Sequence, residues 1–352
     1  MRQRCALAGV AVAGWLVVVA AETALAVPPP LRRDLGSYGI FASRLARVQN
    51  LSLPSACNVG VNCATPPGGS PRCGKLVLGS AHFAAGSQAV GDRVLCTKPG
   101  AALWQLFSNG GTCGDASIEV VPPQPFTPPV IPGTCGDGCT PDVAALKASC
   151  GFPDPFPACD PGRPVTVRPG EDCDGAVDAD PGNLRCDLSP GTYGTVQVQN
   201  GGRLGLGAGA YAVCGLLLGR GAEAVGPGAT IAIPASYDLR VGDGGRLGSI
   251  CGAVTVQLDG EGAAAVGRHA GVAARVCAPE RRLRVGGGAS VSGQLVGDTV
   301  VTGRDVLAVC CRSDCPGGDS ATSPRRREHA VPGRRRPRRS ARPHEDVVVL
   351  PP

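Results

Sequence analysis

The sequence predicts an all-β fold built as a parallel β-solenoid, with a disulfide-rich insert that contains one short α-helix and a disordered basic tail at the C-terminus. Three observations predict it. A phrase of Gly, small residue and aliphatic recurs between residues 195 and 309, the apolar runs there have only three to five residues, and Phe and Trp are absent between Pro190 and Cys310. Strands this short are stable only when they stack on copies of themselves.

Five landmark glycines mark the repeat. Their separations are 20, 23, 18 and 26 residues, so the mean step of about 22 residues is the length of one solenoid coil. Each follows a short aliphatic run and precedes a second one, so the local order is strand, tight corner, strand. Gly adopts φ above zero at little cost, which explains its place at these corners. The landmarks are Gly201, Gly221, Gly244, Gly262 and Gly288.

Residues 1–26 have the pattern of a cleaved signal peptide. Arg2 and Arg4 precede an apolar run at residues 6–21, and the small-residue motif Ala24-Leu25-Ala26 follows it. A transmembrane anchor is the alternative, but the run has 16 residues and a spanning helix needs ~20. We therefore expect an exported protein, secreted or held in the periplasm or on the outer surface, with no membrane span after cleavage.

The 18 cysteines predict a disulfide framework, because a cysteine-rich exported chain matures in an oxidising compartment. Loss of Cys5 with the signal peptide leaves 17, an odd number. Cys73 and Cys96 are 23 residues apart and Cys251 and Cys277 are 26 apart, close to one coil, so each pair is expected to bridge neighbouring coils. The other candidates are Cys135, Cys139, Cys150, Cys159, Cys173 and Cys186.

Zinc is the alternative for Cys135 with Cys139, and for Cys310, Cys311 and Cys315. None of the four His lies near either group in the sequence, so the disulfide interpretation is favoured. The Gly-x-Ser-x-Gly motif of serine hydrolases does not occur. We expect no metal and no cofactor.

The remaining segments are distinguished by composition. The six prolines in residues 121–132 exclude a central strand there. A helix is predicted at 140–150, with Thr140 as its cap, Pro141 at its first position and Gly151 closing it. The mature chain divides into a β-rich segment at 27–121 that could supply the first coils, an insert at 122–188, the β-solenoid at 189–316 and a tail at 317–352.

The net charge of +6 resides in the tail. Residues 320–352 contain nine Arg and three acidic residues, and the rest of the chain has 25 basic and 25 acidic residues. The neutral body gives no global electrostatic argument for nucleic acid. The aliphatic-poor tail is expected to be disordered, either simply solvated or in contact with an anionic polymer.

One pattern suggests catalysis. Residues at the same phase of a solenoid stack about 4.8 Å apart. The residues before the landmarks are Asn200, Arg220, Asp243, Glu261 and Gly287, and those two positions after them are Arg203, Glu223, Arg246, Ala264 and Ser290. Asp243 and Glu261, with Arg220 beside them, would resemble the carboxyl pair of a glycosidase. The second column alternates in charge and indicates a solvent-facing ionic ladder. Because the segment offers only Tyr193, Tyr211 and Tyr237 as aromatic faces for a sugar, we favour the ladder.

Residues 283–298, with Val285-Gly-Gly-Gly-Ala-Ser-Val-Ser-Gly-Gln-Leu-Val-Gly297, resemble the coils of bactofilin-like, polymer-forming bacterial β-helix proteins. The resemblance covers about a third of the chain. It implies a right-handed parallel β-helix that associates end to end and has no catalytic residues. The signal peptide, the cysteines and the capped helix depart from that family's pattern.

Three functions are compatible with the sequence. The first is a secreted, non-catalytic structural or surface β-solenoid, with a second copy or a cell-surface polysaccharide as its candidate partner. The second is a carbohydrate-active enzyme, a glycoside hydrolase or polysaccharide lyase, that uses Asp243, Glu261 and Arg220. The third is an adhesin that binds an anionic polymer through its tail.

Overall fold

The computed structural model describes residues 29–65, 73–114, 116–136, 139–170, 186–249 and 254–310. These contain one short 3₁₀ helix (Leu35–Ser37), one α-helix, α1 (Val143–Ser149), and a single connected sheet of 26 strands. The protein is therefore all-β, as the sequence predicts. No helix in the described ranges is both long and apolar enough to cross a membrane. The predicted signal peptide and the tail at 317–352 lie outside the described residues.

The first ten strands precede α1. They are β1 (Tyr38–Val48), β2 (Leu51–Leu53), β3 (Asn58–Val61), β4 (Lys75–Leu78), β5 (His82–Phe83), β6 (Gln88–Val90), β7 (Arg93–Cys96), β8 (Ala102–Phe107), β9 (Gly110–Thr112) and β10 (Ser117–Gln124).

The other sixteen follow α1. They are β11 (Val165–Val167), β12 (Cys186–Leu188), β13 (Gly191–Val198), β14 (Arg203–Leu206), β15 (Gly209–Leu218), β16 (Glu223–Val225), β17 (Ala229–Ile233), β18 (Leu239–Val241), β19 (Arg246–Leu247), β20 (Val254–Leu258), β21 (Ala264–Val266), β22 (Gly271–Val272), β23 (Ala274–Val285), β24 (Ser290–Ser292), β25 (Gln294–Thr302) and β26 (Val306–Val309).

The strands are stacked coil upon coil. Each pairs in parallel with the strand one coil further along, as β13 does with β15 and β15 with β17 and β18. Inward-facing aliphatic residues repeat in register, for example Val196, Leu216 and Leu239. They are fully buried and belong to one continuous core. The coils thus complete one another's interior, and we call this assembly the stack.

The stack does not follow chain order. The last coil of the chain, β25 and β26, pairs in parallel with the first strands, β1 and β2. The N-terminal coils therefore lie beyond the C-terminal end of the solenoid, which is at residue 309, and not before residue 191. Ile40 is paired with Leu295, and Leu51 with Val306. We call the coils before α1 the N-terminal segment, those after it the C-terminal segment, and the pairing of β1 and β2 with β25 and β26 the seam. The disulfide Cys57–Cys310 joins the two segments beside the seam.

The polypeptide returns along the outside of the stack through residues 125–164, which we call the strap. It covers a column of outward-facing side chains that includes Phe41, Val90 and Val296, all fully buried. Strap residues Val130, Ile131 and Leu146 complete this second hydrophobic cluster. The strap therefore buries one outer face of the stack.

Disulfides bind the strap to coils of both segments. Cys63–Cys135 and Cys73–Cys139 attach it to N-terminal coils, and Cys150–Cys277 and Cys159–Cys214 attach it to C-terminal coils. The predicted pair Cys73–Cys96 is wrong, because Cys96 bonds Cys113 on a neighbouring coil. The predicted pair Cys251–Cys277 is also wrong, since Cys277 is bonded to Cys150; Cys251 and Cys173 lie outside the described residues.

Helix α1 forms part of the strap, and its N-terminal cap differs from the one predicted. Asp142, not Thr140, is the N-cap, and its side chain accepts a hydrogen bond from the Ala145 N–H. Pro141 therefore precedes the helix instead of opening it. Gly151 has a φ of 71° and closes the helix as predicted. Lys147 pairs with Asp259 at 2.6 Å and with Glu280 at 2.7 Å, which anchors the helix to two coils.

Among the described residues, Arg281 is the largest fully buried side chain. It lies where the register of β23 with β25 shifts, and its guanidinium donates to the carbonyls of Pro234, Asp259, Gly260 and Tyr237. Burial lowers its pKa, and the nearby carboxylates of Asp238, Asp259 and Glu280 oppose that effect. One side chain thus satisfies the backbone of two other coils at a corner.

We predict that Arg281→Met lowers the free energy of unfolding by about 3 kcal/mol, because several buried carbonyls lose their donor. Urea unfolding with the disulfides intact measures this. The adjacent, exposed Arg282→Met is the matched control and should change little. Equal effects of the two substitutions would contradict the assigned role of Arg281.

Peptide mapping without reduction is expected to recover Cys57 linked to Cys310 and Cys150 linked to Cys277. These links join residues 253 and 127 positions apart, so they report the seam and the strap directly. Recovery of a Cys73–Cys96 peptide instead would show that the strap is not attached as described.

Candidate functional site

The structure places Asp243 next to the corner of Arg220 but places Glu261 at a different corner. The Gly221 N–H donates to the Asp243 carbonyl at 2.9 Å, so Asp243 lies one coil above the Arg220–Gly221 corner. The Glu261 carbonyl instead accepts from the Ser236 N–H at a different corner. Asp243 and Glu261 therefore do not stack, and no carboxyl pair of the glycosidase type is formed by them.

The error in the predicted column has a simple cause. At the corner that follows Arg220, the residues of successive coils that have positive φ are Gly201, Gly221, Gly244, His269, Gly288, Asp305 and Asn50. His269, with a φ of 54°, occupies the place assigned to Gly262, and Arg268 occupies that assigned to Glu261. Non-Gly residues adopt this conformation occasionally, so a search for Gly alone misses them.

Asp243 has a local structural role. Its carboxylate accepts a hydrogen bond from the Arg268 N–H at 2.7 Å, and Asn200 makes the same contact with the Arg220 N–H at 2.8 Å. In both cases a polar side chain satisfies the backbone of the next coil. The carboxylate of Glu261 is exposed and makes no such contact within the described part of the chain.

The structure confirms the predicted ionic ladder for Arg203, Glu223 and Arg246, and Ser290 also lies in this column. Arg203 is paired with Glu223 and Glu223 with Arg246 on consecutive coils, and both cations lie 3.7 Å from the Glu223 carboxylate. Ala264 does not belong to this column, because Gly271 follows Arg246 and pairs with Ser290. Exposed pairs of this kind contribute little stability, so the ladder mainly neutralises charge.

The segment before β1 lies along a row of buried amides. Gln105 and Gln88 donate to the carbonyls of Pro29 and Pro30, and Gln294 donates to that of Leu35. These side chains hold residues 29–35 against the face that the strap covers. Their hydrogen-bonding capacity is used within the protein, not for a ligand.

A cavity of about 620 Å³ opens beside this segment, lined by Arg33, Asp34, Ile131, Arg275 and Gln294 among others. Burial lowers the pKa of Arg275. Its guanidinium donates to Gln294 and to the Ser149 carbonyl, both at 2.9 Å. Asp34 adds a carboxyl group to the lining, so the cavity has mixed charge. The Arg275 guanidinium already donates its hydrogen bonds to groups of the protein.

A second outer face carries cations without counter-charges. Its rows come from β23, β25, β1, β4 and β7, which are paired in that order. Five basic residues point outward from these rows and define what we call the cationic face: Arg282, Arg284, Arg47, Lys75 and Arg93. None of the five takes part in an ion pair among the described residues.

Sequence reasoning missed the cationic face because it crosses the seam. Arg282 and Arg284 come from one end of the chain, and Arg47, Lys75 and Arg93 from the other. The alternation Arg282-Leu283-Arg284 was the one local signal. It places two Arg on the same side of a strand, but only the pairing of β1 with β25 adds the other three.

The described residues contain no cluster of His, Cys, Asp or Glu that could hold a metal ion. All 13 cysteines among them, including Cys135, Cys139, Cys186 and Cys310, are disulfide-bonded. Comparison of the chain with protein-family models, with curated proteins and with solved structures finds no match.

We predict that Asp243→Ala lowers the free energy of unfolding by about 1 kcal/mol through loss of its hydrogen bond to the Arg268 N–H. Glu261→Ala is the matched control and should have no measurable effect. Denaturant unfolding of both variants tests this, and a larger loss for Glu261→Ala would contradict the assignment.

Proposed function

We propose that the protein is an exported, non-catalytic structural scaffold whose stack is a right-handed parallel β-helix of the kind found in bactofilin-like proteins. The observation that carries the proposal is the strap, which is bonded by four disulfides to coils of both segments. A rigid body stapled along its length is suited to holding a shape. Of the candidate catalytic residues, Asp243 has a structural role and the Glu261 side chain is exposed.

The disulfides also support export. Six bridges join described residues, and such a density is typical of proteins from an oxidising compartment. Together with the signal-peptide pattern at residues 1–26, this favours secretion or a place in the cell envelope.

Self-association end to end is part of the proposal. Among the described residues, β10 pairs only with β8, and β11 only with β13, so each has one edge without a strand beside it. Such edges are templates for pairing with another chain. Stacking of one copy on the next would extend the same parallel hydrogen bonding.

Light scattering of the oxidised protein over a wide concentration range is expected to show a mass that rises above that of one chain. Reduced protein, in which the strap is released, is the comparison and should lose the assembly together with its folded coils. A single-chain mass at every concentration would remove self-association from the proposal.

A further inference from the structure

We propose that the cationic face binds a linear acidic polysaccharide whose carboxylates run parallel to the axis of the stack. The inference rests on the proposed non-catalytic role, because it treats the face as a binding surface and not as a site of cleavage. It concerns the folded body, and it is independent of the basic tail.

The spacing of the cations suits a repeating polyanion. Neighbouring coils are about 4.8 Å apart, so the five rows extend over roughly 19 Å along the axis. Lys75 and Arg93 are directly paired, Arg47 is paired with Val77 in the Lys75 strand, and Arg284 lies two coils from Arg47. No gap between successive cations exceeds about two coil steps, so one extended chain can contact all of them.

The absence of counter-charges on this face needs an explanation, since like charges directly opposite each other destabilise a sheet. At other places on the stack the described residues show surface cations that are paired with carboxylates. Glu223 lies between Arg203 and Arg246, and Asp238 pairs with Arg240 at 2.7 Å. Lys75 and Arg93 lack such relief within the described ranges. A pair of like charges that is kept on a sheet without a neutralising partner is characteristic of functional surfaces.

The chemistry favours carboxylates on a sugar polymer. Four of the five cations are Arg, whose planar guanidinium binds a carboxylate through two parallel hydrogen bonds. The side chains between them on the same rows are aliphatic or Thr: Leu45, Val77, Leu95, Thr299 and Val301. Single-stranded nucleic acids are bound through aromatic stacking, and these rows have no aromatic residue. The disulfides also indicate a compartment outside the cytosol.

The same face continues into a shallow groove of about 390 Å³, lined by Gln197, Gln199, Asn200, Leu217 and Arg240 among others. Leu217 and Arg240 lie in the outer column that leads through Ala265 to Arg284. Amide side chains both donate and accept hydrogen bonds, as sugar hydroxyls require. A polymer on the cationic face would meet these groups four coils away.

The test measures binding of size-fractionated alginate, a linear polyuronate, to the full oxidised chain by calorimetry at low salt. The triple variant Arg47→Gln, Lys75→Gln, Arg93→Gln should bind about tenfold more weakly or worse, because three charge contacts with the polyanion are lost. The matched control, Arg203→Gln, Arg220→Gln, Arg246→Gln, removes the same charge from other surfaces and should bind like the unchanged protein.

Unchanged affinity in the first variant, or an equal loss in both, would overturn the inference. Recovery of the Cys57–Cys310 peptide from each variant verifies that the seam has formed. Arg47→Lys with Arg93→Lys keeps the charge but removes the forked donors, so an intermediate affinity is expected; a loss as large as that of the Gln variant would also support the carboxylate geometry.

Two comparison polymers separate the sources of binding. Dextran, which is neutral, should not bind, and poly(dT) should bind more weakly than alginate. Poly(dT) binding as tightly as alginate would overturn the assignment to an acidic polysaccharide. Shortened alginate after incubation would contradict the proposed non-catalytic function while leaving the binding face in place, whereas intact and unbound alginate would refute only the binding face.

Discussion

The fold depends on hydrogen bonding between one coil and the next. A strand such as β18 has three residues and buries nothing by itself, so its aliphatic side chains are covered only because β15 and β21 lie on either side of it. Parallel pairing in register places Leu216, Leu239 and Ala264 in one column and fills the interior. The positive-φ corners, the buried Arg281 and the strap all act on this arrangement by fixing where each coil begins.

Much of this arrangement could be predicted from the sequence, because it is local and periodic. Gly201, Gly221 and Gly244 do mark successive corners, and the charges of Arg203, Glu223 and Arg246 do alternate up one face. The prediction went wrong where periodicity was assumed to be carried by Gly alone. His269 adopts the left-handed conformation in place of Gly262, and that single shift misplaced Glu261 and Ala264.

The remaining features could not be predicted because no local pattern encodes them. The seam pairs β1 with β25 across about 250 residues, and no repeat indicates which coil should receive the N-terminal strands. Four of the six disulfides between described residues attach the strap, so Cys277 bonds Cys150 in the insert and not a cysteine one coil away. The cationic face arises only from the seam. Its identification required the pairing of strands, not their composition.

The seam also has a consequence for the order in which the molecule is made. The ribosome produces β1 and β2 first, but the coil on which they lie, β25 and β26, is produced last. Contacts between residues so far apart in the sequence form slowly. The intervening chain loses conformational entropy before these contacts contribute any stability. Until then the strand edges of the early segment lack a template, and they are open to the wrong neighbours. Efficient production of this protein should therefore depend on factors that protect emerging chains and on delayed oxidation, more than on the intrinsic stability of any one coil.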